Sequence, residues 1–90
     1  MLNKMTEAAE QGDAIAQYML SWCYYESKGV RQDFVEAYKW CLLAGASGHE
    51  EADVLSKELA KEMRGDQIST AKAQAKQWQQ EFEQSHPAKE

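Results

Sequence analysis

The feature that most constrains this chain is an internal repeat with a period of 36 residues. Shifting the sequence by that period superposes two glycines and three alanines on residues of the same type. The superposed pairs are Gly12 with Gly48, Gly29 with Gly65, Ala8 with Ala44, Ala16 with Ala52, and Ala37 with Ala73. Glycine tolerates the positive φ that a chain reversal after a helix often requires. A unit of this length, punctuated by glycines, is typical of stacked helix pairs.

Apolar residues spaced three and four apart between these glycines predict an all-α fold of about five helices. The first is a half-unit helix, and two helix pairs follow it. The predicted helices are Leu2–Gln11, Asp13–Lys28 ended by Gly29, a helix from Asp33 ended by Gly45 and Gly48, Gly48–Arg64 ended by Gly65, and a last helix from Asp66 or Ser69 to Gln84. The short loops between them favour antiparallel pairs.

Two helix starts carry a capping-box pattern, in which a short polar residue is followed three positions later by glutamate. They are Asp33 with Glu36 and Ser47 with Glu50. In such a box each residue satisfies a free backbone N–H of the other at the start of the helix. We therefore expect one domain over residues 1–84, divided at 1–12, 13–47 and 48–84, with a flexible tail at 85–90.

The chain has 90 residues and a net charge of −5. This acidic charge bears on which classes of partner the protein can bind. An acidic chain with dispersed basic residues is poorly suited to nucleic acid or to an anionic membrane surface. It favours a basic protein partner. The start of the chain lacks the apolar core of a signal peptide, so we expect a cytoplasmic protein. A periplasmic or secreted protein whose leader had been removed would present the same sequence.

Neither the histidines nor the cysteines form a pattern associated with catalysis or metal binding. His49 and His86 have no second histidine or cysteine at metal-ligand spacing. Cys23 and Cys41 lie in helical patterns among apolar neighbours, where they serve either as small buried side chains or as a disulfide. We therefore expect no enzyme activity, no cofactor and no metal.

The segment from Ala16 to Ala44 resembles a Sel-one-like repeat, a tetratricopeptide-like unit of two helices. Nine positions carry the resemblance. They are Ala16, Leu20, Tyr24, Gly29, Val30, Asp33, Ala37, Trp40 and Ala44. The family often has glycine where Ser21 and Ser27 stand, and the second unit departs further, as a terminal capping unit would. The resemblance implies a right-handed α/α superhelix, or solenoid, that serves as a protein-interaction adaptor, including in bacterial proteins.

By analogy with helix-pair solenoids, the first helix of each unit lines a concave face that binds a partner. Ten residues fall on that face. They are Ile15, Tyr18, Trp22, Tyr25, Glu26, Glu51, Val54, Glu58, Lys61 and Glu62. Exposed aromatic side chains often anchor interfaces, and the nearby carboxylates favour a basic residue in the partner. In the alternative interpretation, Tyr18 and Trp22 are core residues that cover the N-terminal helix.

Three functions are compatible with these patterns. The first is an adaptor module that binds a peptide or protein surface in its concave groove. The second is a small inhibitor or immunity-type protein that blocks one enzyme. The third is a structural unit that assembles with itself, for example as a homodimer, through the apolar edges of a short solenoid.

Overall fold

The computed structural model describes residues 2–85, which form five α-helices joined by short loops. The helices are α1 (Leu2–Glu10), α2 (Ala14–Glu26), α3 (Phe34–Ala46), α4 (Glu50–Glu62) and α5 (Gly65–Ser85). The predicted all-α repeat fold is therefore confirmed. Residues 86–90 of the expected tail lie outside the described part of the chain, and Ser85 is the last residue of α5.

The start of α3 forms one half of the predicted capping box. The Asp33 carboxylate accepts a hydrogen bond from the Glu36 backbone N–H at 3.1 Å. The Glu36 carboxylate does not return the bond; it accepts from the Trp40 indole N–H at 3.2 Å. The Asp33 N–H donates instead to the Tyr24 carbonyl at 3.0 Å, and this bond ties the start of α3 to α2.

The second predicted capping box, Ser47 with Glu50, is wrong. His49 occupies the cap position of α4, and its side chain makes no capping hydrogen bond. The Ser47 hydroxyl donates backwards to the Leu43 carbonyl at 3.3 Å. Serine commonly bonds to a carbonyl four residues earlier in a helix, and here that bond completes the last turn of α3.

Two glycines that were expected to end helices do not end them. Gly45 lies inside α3, where a Cβ atom would collide with the Asp53 side chain of α4. This glycine therefore permits a close approach between the two helices rather than a chain break. Gly65 is the first residue of α5, and α4 ends earlier, with Met63 in an extended conformation.

The end of α2 also precedes its expected glycine. Ser27 adopts the left-handed conformation, with φ of 60° and ψ of 43°, and its N–H bonds to the Cys23 carbonyl. Gly29 has a φ of 81° and lies in the loop that follows. The reversal thus uses two left-handed residues, of which only the second is a glycine.

Helix α3 is the central element, since α2, α4 and α5 all pack closely against it, while α1 packs against α2. Two core clusters result. The first joins α3, α4 and the start of α5 through residues such as Cys41, Leu59 and Ala71. The second joins α1, α2, α3 and the middle of α5 through residues such as Ala9 and Trp40.

The nine positions of the repeat pattern lie at the junction of α2 with α3. Five are buried, and they include the small residues at which the helices approach closely. The buried positions are Ala16, Leu20, Ala37, Trp40 and Ala44. Tyr24 and Val30 are half-buried. Asp33 caps α3, and Gly29 supplies the positive φ of the loop.

Cys23 and Cys41 are both free thiols, so they do not form the disulfide that the sequence left open. Their side chains contact different neighbours. The Cys23 sulfur lies 3.9 Å from the Met5 sulfur of α1. The Cys41 sulfur lies 2.9 Å from the Ser21 hydroxyl, in the buried contact between α2 and α3.

Candidate protein-interaction groove

Helices α2 and α4 both pack against α3 but are not closely packed against each other. The space between them is a cavity of about 350 Å³, which we call the α2–α4 groove. Seven residues line it: Tyr18, Trp22 and Tyr25 from α2, and Glu51, Val54, Leu55 and Glu58 from α4. Each helix contributes residues three and four apart, because that spacing places side chains on one helix face.

The wall formed by α2 is a row of aromatic rings in mutual contact. Tyr18 meets Trp22 edge to face, with 6.4 Å between ring centroids, and Trp22 lies 5.6 Å from Tyr25. All three rings are half-buried and pack against the first core cluster. The core therefore fixes the position of each ring while part of the ring remains exposed to the groove.

These rings do not cover the N-terminal helix, as the alternative interpretation required. Helix α1 packs against another face of α2, where the buried Gln17 side chain donates from its amide nitrogen to the Ala9 carbonyl at 3.0 Å. Tyr18 and Trp22 pack instead against the cluster formed by α3, α4 and α5. They therefore have both a packing role and an exposed surface.

At each end of the groove a side chain of α2 meets α4 or His49, the residue that caps it. At one end the His49 ring lies against the Tyr18 ring, with 4.6 Å between centroids. At the other end the Tyr25 hydroxyl donates to the Glu62 carboxylate at 2.6 Å. Because Tyr18 and His49 lie near the starts of their helices, and Tyr25 and Glu62 near the ends, α2 and α4 run in the same direction.

The groove has a negative electrostatic character. Two of its seven lining side chains are carboxylates, Glu51 and Glu58, and none is a cation. The pKa of the Tyr25 hydroxyl is raised, first by its hydrogen bond to Glu62 and then by burial and the charges of Glu62, Glu26 and Glu58. Each of these carboxylates opposes a further negative charge at this end of the groove.

Two basic residues, Lys61 and His49, lie beside carboxylates of the groove. The Lys61 ammonium lies 3.5 Å from the Glu58 carboxylate, and the two side chains are 72% and 57% exposed. The His49 ring nitrogen lies 3.3 Å from the Glu51 carboxylate, which is 75% exposed. The Lys61–Glu58 pair is exposed on both sides and contributes little free energy, so an incoming charge can displace it.

Of the ten residues predicted for the concave face, six line the groove and four do not. Glu62 accepts the hydrogen bond from Tyr25. Lys61 pairs with Glu58, Glu26 lies 3.6 Å from Lys28, and Ile15 is 61% exposed. Leu55 was missed because its apolar type and its place in the stripe of α4 predict only a core residue, which it also is.

Comparison with known proteins identifies the repeat that contains the aromatic wall. A sequence profile described as Sel1 repeat matches residues 14–49. Residues 14–49 of this chain are a Sel1 repeat. The resemblance found in the sequence is confirmed, and Sel1 repeats are non-catalytic repeats that mediate protein interactions. The α2 wall of the groove lies inside the matched segment, whereas its α4 wall follows that segment.

One relative extends the similarity beyond the Sel1 repeat. The chain is 31% identical over 81 residues to the alginate biosynthesis protein AlgK of Azotobacter vinelandii, which agrees with the expected bacterial character. The alignment covers 83% of this chain and 18% of that relative. This chain therefore corresponds to a small part of the length of AlgK.

Two further findings concern residues 2–85 alone. None of the helices in this range combines the length and the hydropathy needed to cross a bilayer. The same range holds no group of three or more histidine, cysteine, aspartate or glutamate side chains placed to bind a metal ion.

Proposed function

We propose that this Sel1 repeat binds a peptide or a protein surface in the α2–α4 groove. One observation carries the proposal: α2 and α4 are held apart by their common support on α3, so a row of aromatic rings remains open to a cavity. Two helices in direct contact would bury those rings. The proposal involves no catalytic step.

Exposed aliphatic side chains accompany the aromatic wall. Val54, which lines the groove from α4, is 62% exposed, and Ile15, three residues before Tyr18 on α2, is 61% exposed. Exposed aliphatic residues next to half-buried aromatic rings are the composition expected of an interface centre. A cavity of about 350 Å³ lies at the small end of ligand-site volumes, which suits one or two inserted side chains of a partner.

The similarity to AlgK supports the module and not a particular process. That relative is named for alginate biosynthesis, but this chain spans 18% of its length. We therefore propose for this chain the protein-interaction role of the repeat, and we do not propose a role in alginate biosynthesis.

The test is photo-crosslinking in source cells, with benzoylphenylalanine placed at one position in the groove and at one outside it. Val54 is the groove position, because its exposure allows a large ring without disturbing the core. Lys72 on α5 is the control, because it is exposed and does not line the groove. We expect an adduct of defined mass from position 54 and none from position 72.

The identity of the adduct separates the candidate functions. Equal adducts from both positions, or no adduct from position 54, would contradict binding in the groove. An adduct of twice the chain mass would replace the proposal with self-assembly. An adduct with an enzyme whose activity falls on binding would favour the inhibitor function.

A further inference from the structure

We propose that the partner inserts a basic side chain, lysine or arginine, at one end of the α2–α4 groove. That end holds Trp22, Tyr25 and Glu58, and an apolar part of the partner lies toward Tyr18 and Val54. The inference rests on the proposed function and specifies the chemistry of the partner at that same site. It follows from three properties of the groove.

The first property is the aromatic surface of α2. Trp22 and Tyr25 are in contact, with 5.6 Å between their centroids, and the core holds both rings in place. The face of such a ring attracts a cation, and tryptophan does so most strongly. Because the rings are already ordered by packing, a bound cation does not require them to lose further conformational freedom.

The second property is the distribution of carboxylates. Glu58 lines the groove, and Glu62 and Glu26 stand near Tyr25, so that the charges of all three act on its hydroxyl. Lys61 is the cation recorded beside Glu58, and it lies in an exposed pair. A basic side chain from a partner would replace a weak contact with one that is shielded from water inside the groove.

The third property is the common direction of α2 and α4. Both helices end at the side of the groove where Tyr25 meets Glu62. The carboxyl end of a helix carries a partial negative charge, which attracts cations. At the opposite side both helices begin, and their partial positive charges offset part of the negative charge of Glu51. The two ends therefore differ, and a cation is favoured at the Glu58 end.

An acidic or a purely apolar occupant fits this end less well. An acidic side chain would be repelled by the carboxylates near Tyr25. An apolar side chain would remove water from Glu58 without replacing the lost hydrogen bonds, which costs free energy. The Val54 end carries one carboxylate, Glu51, which is 75% exposed and remains hydrated, so apolar contacts are favoured there.

The experiment starts with short random peptides displayed on phage and selected on the wild-type protein. Groove binders are defined by nuclear magnetic resonance, as the peptides that shift both the Trp22 indole proton and the Val54 amide. This definition does not depend on the charge of the peptide. Each groove binder is then resynthesised with arginine replaced by citrulline, or lysine by norleucine, and its dissociation constant is measured.

We expect every groove binder to carry a required basic residue, whose neutral replacement weakens binding about tenfold. Glu58→Gln should weaken the parent peptides by a similar factor, and Glu51→Gln should weaken them clearly less. Glu7→Gln on α1, an exposed residue outside the groove, serves as a control with the same change in net charge and should leave binding unchanged. The citrulline peptide should not distinguish Glu58→Gln from the wild type.

The outcomes distinguish this inference from the proposed function. If no selected peptide shifts the groove resonances, the proposed function fails, and the inference fails with it. If groove binders lack basic residues, or bind equally well after the neutral replacement, the groove binds peptides and the inference alone is overturned. If Glu51→Gln weakens binding as much as Glu58→Gln, the assignment to one end of the groove is wrong.

Discussion

At the scale of single residues, the contact between α2 and α3 contains a buried polar pair. The Ser21 hydroxyl donates to the Ala37 carbonyl at 2.7 Å and lies 2.9 Å from the Cys41 sulfur. Burial raises the pKa of the Cys41 thiol to about 11; the contact with Ser21 lowers it in part, and the charge of Asp53 raises it further. Ser21 thus fills, with a hydrogen-bonded group, a position where related repeats often have glycine.

This pKa predicts a loss of stability in alkaline solution. The folded thiol titrates near pH 11 and the unfolded thiol near pH 9.0, so the unfolded state ionises first as the pH rises. The contribution of the neutral Cys41 thiol to the free energy of unfolding is complete below pH 9.0. It is lost between pH 9.0 and pH 11, with a slope of up to about 1.4 kcal/mol per pH unit. Urea unfolding of the wild type and of Cys41→Ala at several pH values measures it.

The Cys41→Ala variant is the control for the titration of buried tyrosines in the same pH range. Burial also raises the pKa of Tyr24 and of Tyr38. Tyr24 titrates in both proteins, whereas the pKa of Tyr38 is also raised by the charge of Cys41, so the difference in free energy of unfolding reports the thiol together with its coupling to Tyr38. A difference that stays constant from pH 9.0 to pH 11 would contradict the assigned burial of Cys41.

Ser27 supports a second prediction, because it is a non-glycine residue in the left-handed conformation at the end of α2. This conformation costs an L-residue about 1–2 kcal/mol of folding free energy, and a glycine at the same position avoids this strain. Glycine also makes the unfolded chain more flexible, which costs about 0.4–1 kcal/mol of stability. Because Ser27→Gly and Ser27→Ala both remove the Ser27 hydroxyl, Ser27→Gly should have a free energy of unfolding about 0.5 kcal/mol above that of Ser27→Ala.

Ser27→Ala is the matched variant for that measurement. It keeps the Cβ atom and removes the hydrogen bond from the Ser27 hydroxyl to the Val30 carbonyl, which is 2.9 Å long. It should destabilise the fold by about 0.5 kcal/mol. Chemical denaturation of both variants tests the pair, and equal free energies for the glycine and alanine variants would show that the backbone conformation at this position does not matter.

At the scale of the helices, α5 is fixed by an aromatic contact with α3 and with the loop after α1. Trp78 meets Trp40 edge to face at 5.9 Å, and Phe82 stacks on Trp78 at 4.9 Å between centroids. The Phe82 ring reaches Gly12, where a Cβ atom would lie 2.9 Å from the ring. Position 12 therefore needs glycine both for its φ of 97° and for the space that Phe82 requires.

A pair of glycine substitutions separates these two requirements. Gly12 and Gly48 have almost equal φ values, 97° and 96°, but nothing lies within 4 Å of a Cβ atom at Gly48. Gly48→Ala should cost about 1 kcal/mol from backbone strain alone, and Gly12→Ala should cost about 1 kcal/mol more because Phe82 must shift. Thermal unfolding compares them, and equal losses would mean that Phe82 yields freely.

The periodicity of apolar residues was sufficient to predict five helices, whereas the roles of individual glycines were not predictable. Gly45 and Gly65 were assigned to helix ends by the local rule that glycine breaks helices. The need for Gly45 arises from Asp53, a residue on another helix, which no local pattern reveals. The same limit applied to Ser47. Its hydroxyl could either accept from a backbone N–H at the start of α4 or donate to a carbonyl of α3, and it donates to the Leu43 carbonyl.

The candidate groove was predictable in part for the same physical reason. Spacing places Tyr18, Trp22 and Tyr25 on one face of α2, and the structure agrees. Spacing does not reveal that α2 and α4 stay apart, because that depends on how both helices pack against α3. The division of each ring between core and groove is likewise a property of the assembled fold.

At the scale of the whole molecule, α5 connects parts of the chain that a simple stack of repeats would leave apart. In a solenoid each unit contacts its neighbours alone, so distant units unfold nearly independently. Here Trp78 packs against the second core cluster, which includes Ala9 of α1. We therefore expect the stability of α1 to depend on a residue near the other end of the described chain.

Hydrogen exchange tests this dependence. Trp78→Ala should lower the free energy of unfolding by about 2 kcal/mol, and it should accelerate amide exchange in α1 more than in α4. Ile68→Ala, at a residue that packs against the first core cluster, is the matched variant; its loss of about 2 kcal/mol should fall mainly on α4 and the start of α5. The same exchange pattern in both variants would show that the clusters unfold as one unit.

Both walls of the groove are mounted on α3, and α2 also meets the α4 side at the two ends of the groove, through Tyr18 with His49 and Tyr25 with Glu62. The distance between α2 and α4 therefore depends on the volume of the buried α3 side chains that support both helices, such as Tyr38 and Cys41. A change of a single methylene there would widen or narrow the site while every residue on its surface stayed the same. Two proteins with identical groove-lining residues could then bind different partners, because they differ in buried residues that no partner contacts.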